Sequence, residues 1–191
     1  MEVIREQRFV TPNHFSQFFS NYSKHDDYFN SFPPGYRFHP TEEELIIFYL
    51  MKKIMNEPLP PNQMLEVDVY QHDPQILCRR YKSACEKEWY FFSPRERKYP
   101  NGVRPKRSTK DGYWKVSGSD RLIYSKGMIV GKWNTLVYYR GKAPTGTKTN
   151  WIMREYKLAQ HSHKRTGAFD MMLENIKPQP TLSVKFLTAA K

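Results

Sequence analysis

At 191 residues, with 39% hydrophobic and 15% aromatic side chains, the chain has enough apolar mass for one ordinary domain and is not disordered throughout. Its formal net charge of +12 is unevenly placed: residues 1–90 carry 10 basic and 13 acidic side chains, and residues 91–191 carry 21 and 6. The balance points to a polyanion-binding second half, with nucleic acid ahead of an anionic membrane surface, and the two cysteines, Cys78 and Cys85, exclude a disulfide scaffold or a CxxC zinc site.

Residues 1–30 are polar, with isolated aromatics and no sustained period, and read as a mobile arm. SFPPGYRFHP (31–40) is an extended segment bracketed by prolines. Thr41-Glu42-Glu43-Glu44 then has the form of a capping box, with acidic residues at the positive end of a helix dipole. The helix it opens runs to about Met55, with Leu45, Ile47, Phe48, Tyr49, Leu50, Met51 and Ile54 as its apolar face, and EPLPP stops it. Asp73-Pro74 reads as the start of a second, shorter helix.

After residue 86 the texture changes to strands and turns. EWYFFS (88–93) suits a strand buried on both faces; GYWKVS is a strand closed by Gly118. RLIY turns at Ser125-Lys126-Gly127 into MIVGKWNTLVYY, with a bulge expected at Gly131. RGKAPTGTKT (140–149) is a basic loop and NWIMREYKL (150–158) an alternating strand. Helices first and strands later indicate an α+β fold with an antiparallel sheet. Beyond Leu158 the pattern decays, and Pro178 and Pro180 break the remainder of the chain.

Eight Lys and Arg lie between Arg95 and Lys115 against only Glu96 and Asp111, clustered around one aromatic strand. Loop cations there would supply phosphate contacts, and a protruding strand can read the major groove as a helix does. Lys115 alternates with Trp114, so Lys115 is expected to face out and Trp114 to anchor the core. No Gly-rich phosphate loop, GxSxG or HExxH pattern is present, and the six histidines are scattered, so neither catalysis, a metal nor a cofactor is expected. No apolar run reaches the length of a membrane span, and MEVIREQRF lacks a signal-peptide core, which reads as an intracellular chain.

FPPGYRFHPTEEEL (32–45), EWYFFSPRERKYPNG (88–102), GYWKVSGSD (112–120) and LVYYRGKAPTGTKTNWIMREYKL (136–158) closely resemble the plant NAC transcription-factor domain, in family order and spacing, over residues 31–158. The resemblance implies a twisted antiparallel sheet packed between a few helices, acting in the nucleus as a homodimer, or a heterodimer with other NAC proteins, on double-stranded DNA with a CACG-type core. It implies that YWKVSG enters the major groove, with Lys98, Arg104, Arg107 and Lys115 contributing, and that Arg37 pairs across a two-fold axis with Glu44. The candidate DNA contacts are therefore Arg95, Arg97, Lys98, Arg104, Lys106, Arg107, Lys110, Tyr113, Lys115, Ser117, Lys132, Lys142 and Lys148. No membrane or small-molecule partner is expected.

The chain departs from the pattern at WKVSG, where WKATG is usual, and at Trp133-Asn134, where lysines are common. Thr145 stands in a frequently basic loop position. The family's closing strand is not recognisable after Leu158, so residues 159–191 read as an atypical segment without a long regulatory tail, leaving a sheet edge open. Such a chain could bind DNA as a passive competitor; a nonspecific nucleic-acid or polyanion-binding module also fits the charge.

Overall fold

The computed structural model describes residues 28–29, 31–84, 87–94, 107–159 and 182–189. The chain divides into two units, Met1–Tyr36 and Arg37–Lys191. In the first, Tyr28, Phe32 and Tyr36 make successive ring contacts, edge-on at 5.0 Å and then stacked at 5.0 Å. Apart from Tyr28 and Phe29, the expected mobile arm lies outside the described residues.

The second unit begins with the helix α1 (residues 42–54), built from an α turn Glu42–Glu44, a π-helical stretch Leu45–Met51 and a closing turn Lys52–Ile54. The capping box forms as expected: the Thr41 hydroxyl accepts from the Glu44 N–H (3.2 Å), and Glu44 Oε2 accepts from the Thr41 N–H (2.8 Å). Asn56, in the left-handed region at φ 58°, ends the helix, and the Glu57 N–H donates back to the Lys52 carbonyl (2.9 Å). The expected apolar face needs correction. Leu45, Ile46, Leu50 and Met51 are buried while Phe48 is exposed. In π geometry, residues five apart align, which rotates Ile46 inward and Phe48 outward.

The strands are β1 (Leu65–Glu66), β2 (Glu88–Pro94), β3 (Gly112–Ser125), β4 (Met128–Arg140), β5 (Thr147–Leu158) and β6 (Leu182–Ala189). They form one twisted sheet in the order β1-β2-β6-β5-β4-β3, antiparallel except for the short parallel pair β1–β2. This is the α+β fold expected, with two differences. GYWKVS does not close at Gly118: β3 continues to Ser125 through a register shift between Ser117 and Arg121, where Gly118 takes φ +84°. And a strand does come after Leu158, because β6 inserts between β2 and β5, so no edge is left open there.

α1 covers one face of the sheet. The other is covered by the segment after β1, which contains a 3-10 turn (Val69–Gln71) and the helix α2 (Pro74–Arg80). Val67, Val69, Tyr70 and Leu77 pack there with Trp89, Phe91, Trp114, Leu136, Tyr138 and Met153. β2 is buried on both faces from Trp89 to Ser93, as four consecutive aromatics suggest. The two-residue turn Lys126-Gly127 has φ > 0 at both positions, which suits the twist of a hairpin.

Gly131 seats α1 on β4. A Cβ there would lie 2.7 Å from the Lys157 backbone oxygen and 2.8 Å from Ile46 Cδ1. Gly131→Ala should lower stability by about 1–3 kcal/mol in urea unfolding, because the backbone oxygen cannot simply rotate away; an unchanged midpoint would show that the helix is not held there.

Candidate nucleic-acid interface

β3 is an edge strand, and its start is fastened before its edge opens. Residues 107–109 turn back along it: the Trp114 N–H donates to the Arg107 carbonyl (2.8 Å), and the Thr109 N–H to the Gly112 carbonyl (2.9 Å). Two carboxylates hold this hairpin from below. Asp73 is buried and accepts from the hydroxyls of Thr109 and Tyr138 and, at 3.4 Å, from the Asp111 N–H. Asp73 stands at the N-cap position of α2, yet its side chain makes no cap bond; its lone pairs are used on the β3 side. Burial alone would raise its pKa, but the Thr109, Tyr138 and Asp111 donors outweigh burial and hold the carboxyl below its usual range.

The second anchor is Glu155 on β5, fully buried. Its Oε2 lies 3.1 Å from an Arg107 guanidinium nitrogen and 2.7 Å from Lys157 Nζ, and its Oε1 accepts from the Tyr70 hydroxyl at 3.3 Å. Burial pushes the Tyr70 hydroxyl well above its ordinary pKa, with the Glu155 charge adding to it, so it stays a neutral donor. Charge counting in the sequence could not have found this cluster, since it says nothing of which cations point inward.

Beyond this fastened start, β3 alternates as expected. Trp114 is 2% exposed and packs 5.1 Å from Tyr138, while Lys115 faces out with Nζ 5.6 Å from the Tyr139 ring. From Lys115 to Leu122 every residue of β3 is exposed. Tyr113 stacks on Tyr139 (5.4 Å, 17°) and donates its hydroxyl to the Pro144 carbonyl at 2.9 Å, tying the loop after β4 to the strand. On the face of Lys115, register aligns Ser117 with Thr135 and Arg154, and Arg121 with Trp133 and Tyr156.

The candidate contacts separate accordingly. Lys110, Lys115, Ser117, Lys142 and Lys148 are exposed at or near this strand, and Lys132 is half-buried in an ion pair with Asp120 (2.7 Å). The Asp120 carboxyl is held below its usual range, first by the Lys132 hydrogen bond, with the Asn134 amide helping against burial. Arg107 is turned to Glu155, not to the open face. Arg95, Arg97, Lys98, Arg104 and Lys106 lie outside the described residues. Arg37 is exposed, and Glu44 serves the cap of α1. Arg121 and Arg154, exposed on the same face as Lys115, escape a sequence reading because they lie outside the dense basic run. Half-burial raises the Cys78 thiol to about 12, consistent with an unreactive thiol; Cys85 lies outside the described residues.

Among the described residues, no cluster of three or more His, Cys, Asp or Glu is placed to hold a metal, and no helix is long and apolar enough to cross a membrane. β3 is thus an edge strand with Trp114 buried on one side, Lys115 exposed on the other and its start fastened. Residues 33–158 match the family model described as No apical meristem (NAM) protein, and the chain is a member of this plant NAC family. It is similar to NAC domain-containing protein JA2 of Solanum lycopersicum, 52% identical over 138 residues, covering 72% of this chain and 39% of that protein. Against NAC transcription factor 29 of Arabidopsis thaliana it is 51% identical over 142 residues, 73% of this chain and 53% of the relative. Against NAC transcription factor 47 of Arabidopsis thaliana the values are 53% over 135 residues, 68% and 37%. The chain thus spans about half the length of these relatives, or less. The family is one of DNA-binding transcription factors, not of enzymes.

The depressed Asp73 carboxyl has a stability consequence with a definite sign. Its contribution is present above the ordinary carboxylate range and lost as pH falls through the lower folded value. Asp73→Asn should lower stability at neutral pH by roughly 1–3 kcal/mol, and denaturation curves should show the gap to the parent closing below about pH 4.

Proposed function

We propose that the chain is a sequence-specific, double-stranded DNA-binding transcription factor that acts in the nucleus as a dimer, with itself or with other NAC proteins, and has no catalytic role. The DNA-binding unit would comprise residues 31–158, with β3 entering the major groove. The observation that carries this reading is the alternation on β3: Trp114 is buried while Lys115 is exposed, at the start of a long open strand. Lys115 would reach base edges, and Ser117 is small enough to let the strand approach closely. Lys110, Lys142 and Lys148 would meet phosphates, as would the cations at 95, 97, 98, 104 and 106. Arg107 would act from inside, through Glu155, by fixing where β3 starts.

Two duplexes of equal length, one with a CACG-type core and one scrambled, should be compared across a salt titration. The core duplex should remain preferred near physiological salt, and Lys115→Ala should erase about 1–3 kcal/mol of that preference. Equal binding of both duplexes, collapsing with salt, would leave only a nonspecific basic surface.

Dimerisation rests on Arg37 and Glu44 meeting across a two-fold axis, where each contact occurs twice. Arg37→Glu should weaken self-association by about tenfold or more in analytical ultracentrifugation, and adding Glu44→Arg should restore it. Since Glu44 also closes the capping box, the double variant should regain association while remaining less stable than the parent. Lack of rescue would confine Glu44 to its cap.

A further inference from the structure

We propose that Arg121 and Arg154, stacked on Trp133, form a ready-made clamp for the phosphates of a DNA strand lying beside β3; this rests on the DNA-binding reading above. The two arginines come from different strands and converge on one ring. Arg121 Cζ lies 5.1 Å from the Trp133 centroid, and Arg154 Cζ lies 4.8 Å from it. Trp133 is buried between β3 and β5 and is itself braced by Tyr156 at 6.1 Å. The arginines remain exposed, and Arg154 Nη1 stands 4.0 Å from Glu42 Oε1 in the first turn of α1.

A guanidinium resting on an indole is weakly hydrated and keeps its N–H fork in a fixed plane, the arrangement that suits bidentate phosphate binding. Because the ring already restrains both side chains, less rotamer freedom is lost when the anion arrives. Position argues for backbone, not bases. Arg154 sits in register with Thr135 and Ser117, two strands in from the edge and so about 10 Å to the side of it. A duplex whose groove receives the edge of β3 would bring a phosphate strand over that row. Of the neighbouring carboxylates, Asp120 is turned to Lys132 and Asn134, and Glu42 is the one that faces the clamp.

The test is a salt titration of the whole chain on the core and scrambled duplexes. Arg121→Ala with Arg154→Ala should weaken binding to both by about 10- to 100-fold at low salt and lower the salt slope by about two units. Arg121→Lys with Arg154→Lys should keep the slope but still lose several-fold in affinity, since an ammonium cannot reproduce the fork. Circular dichroism of each variant establishes that the sheet is intact. Unchanged affinity and slope in a folded double-alanine variant would overturn the clamp and leave the DNA-binding reading standing. Failure of the unmodified chain to bind either duplex would overturn both.

Discussion

The structure depends on β6 lying between β2 and β5. Without that strand, the β1–β2 pair and the β5–β4–β3 ladder would share no hydrogen bonds. Each would also expose a long row of unpaired backbone groups, which folded proteins avoid. The core depends on the same insertion, since Trp89 and Phe91 of β2 pack in one cluster with Leu136, Tyr138 and Met153 of β4 and β5. Ser183 and Val184 in β6 are fully buried. The candidate interface on β3 is therefore positioned by a strand at the other end of the chain.

Position alone does not make a strand useful for recognition; its first residues must also be held still. Here two buried carboxylates perform that task from different layers. Asp73, next to α2, accepts from Thr109 and Tyr138, and Glu155, within the sheet, gathers Arg107, Lys157 and Tyr70. A buried carboxylate is tolerated only when its lone pairs are taken up, so each cluster has a definite geometry. The hairpin 107–114 is consequently held at Arg107, Thr109 and Asp111, in the way recognition elements generally need support behind them.

Much of this is legible in the sequence. The capping box at Thr41, the turn at Lys126-Gly127, the double-sided burial of EWYFFS and the opposition of Trp114 to Lys115 all come from local rules, and local rules decide them. The features that escape are non-local. π geometry in α1 shifts the buried set by one residue, which a 3.6-residue period cannot anticipate. LSVKFLTA does carry a strand-like pattern, but Pro178 and Pro180 read as breakers of the whole tail, although they precede β6 and lie outside it. Charge density marks the basic run without revealing that Arg107 turns inward. It also gives no weight to Arg121 and Arg154, whose significance comes from sharing one tryptophan across three strands.

The open side of β3 has a further consequence. Among the described residues no strand lies beyond β3, and an unpaired strand edge attracts any other extended chain, including the same strand of a second molecule. From Lys115 onward this edge is bordered by cations such as Lys115, Arg121 and Lys126. Two such edges repel one another, while a phosphate-rich ligand is drawn in. Ionic strength acts on both effects together. Under the proposed DNA-binding role, conditions that would strip the protein from nucleic acid would also remove the repulsion between such edges, so the basic face would protect solubility as well.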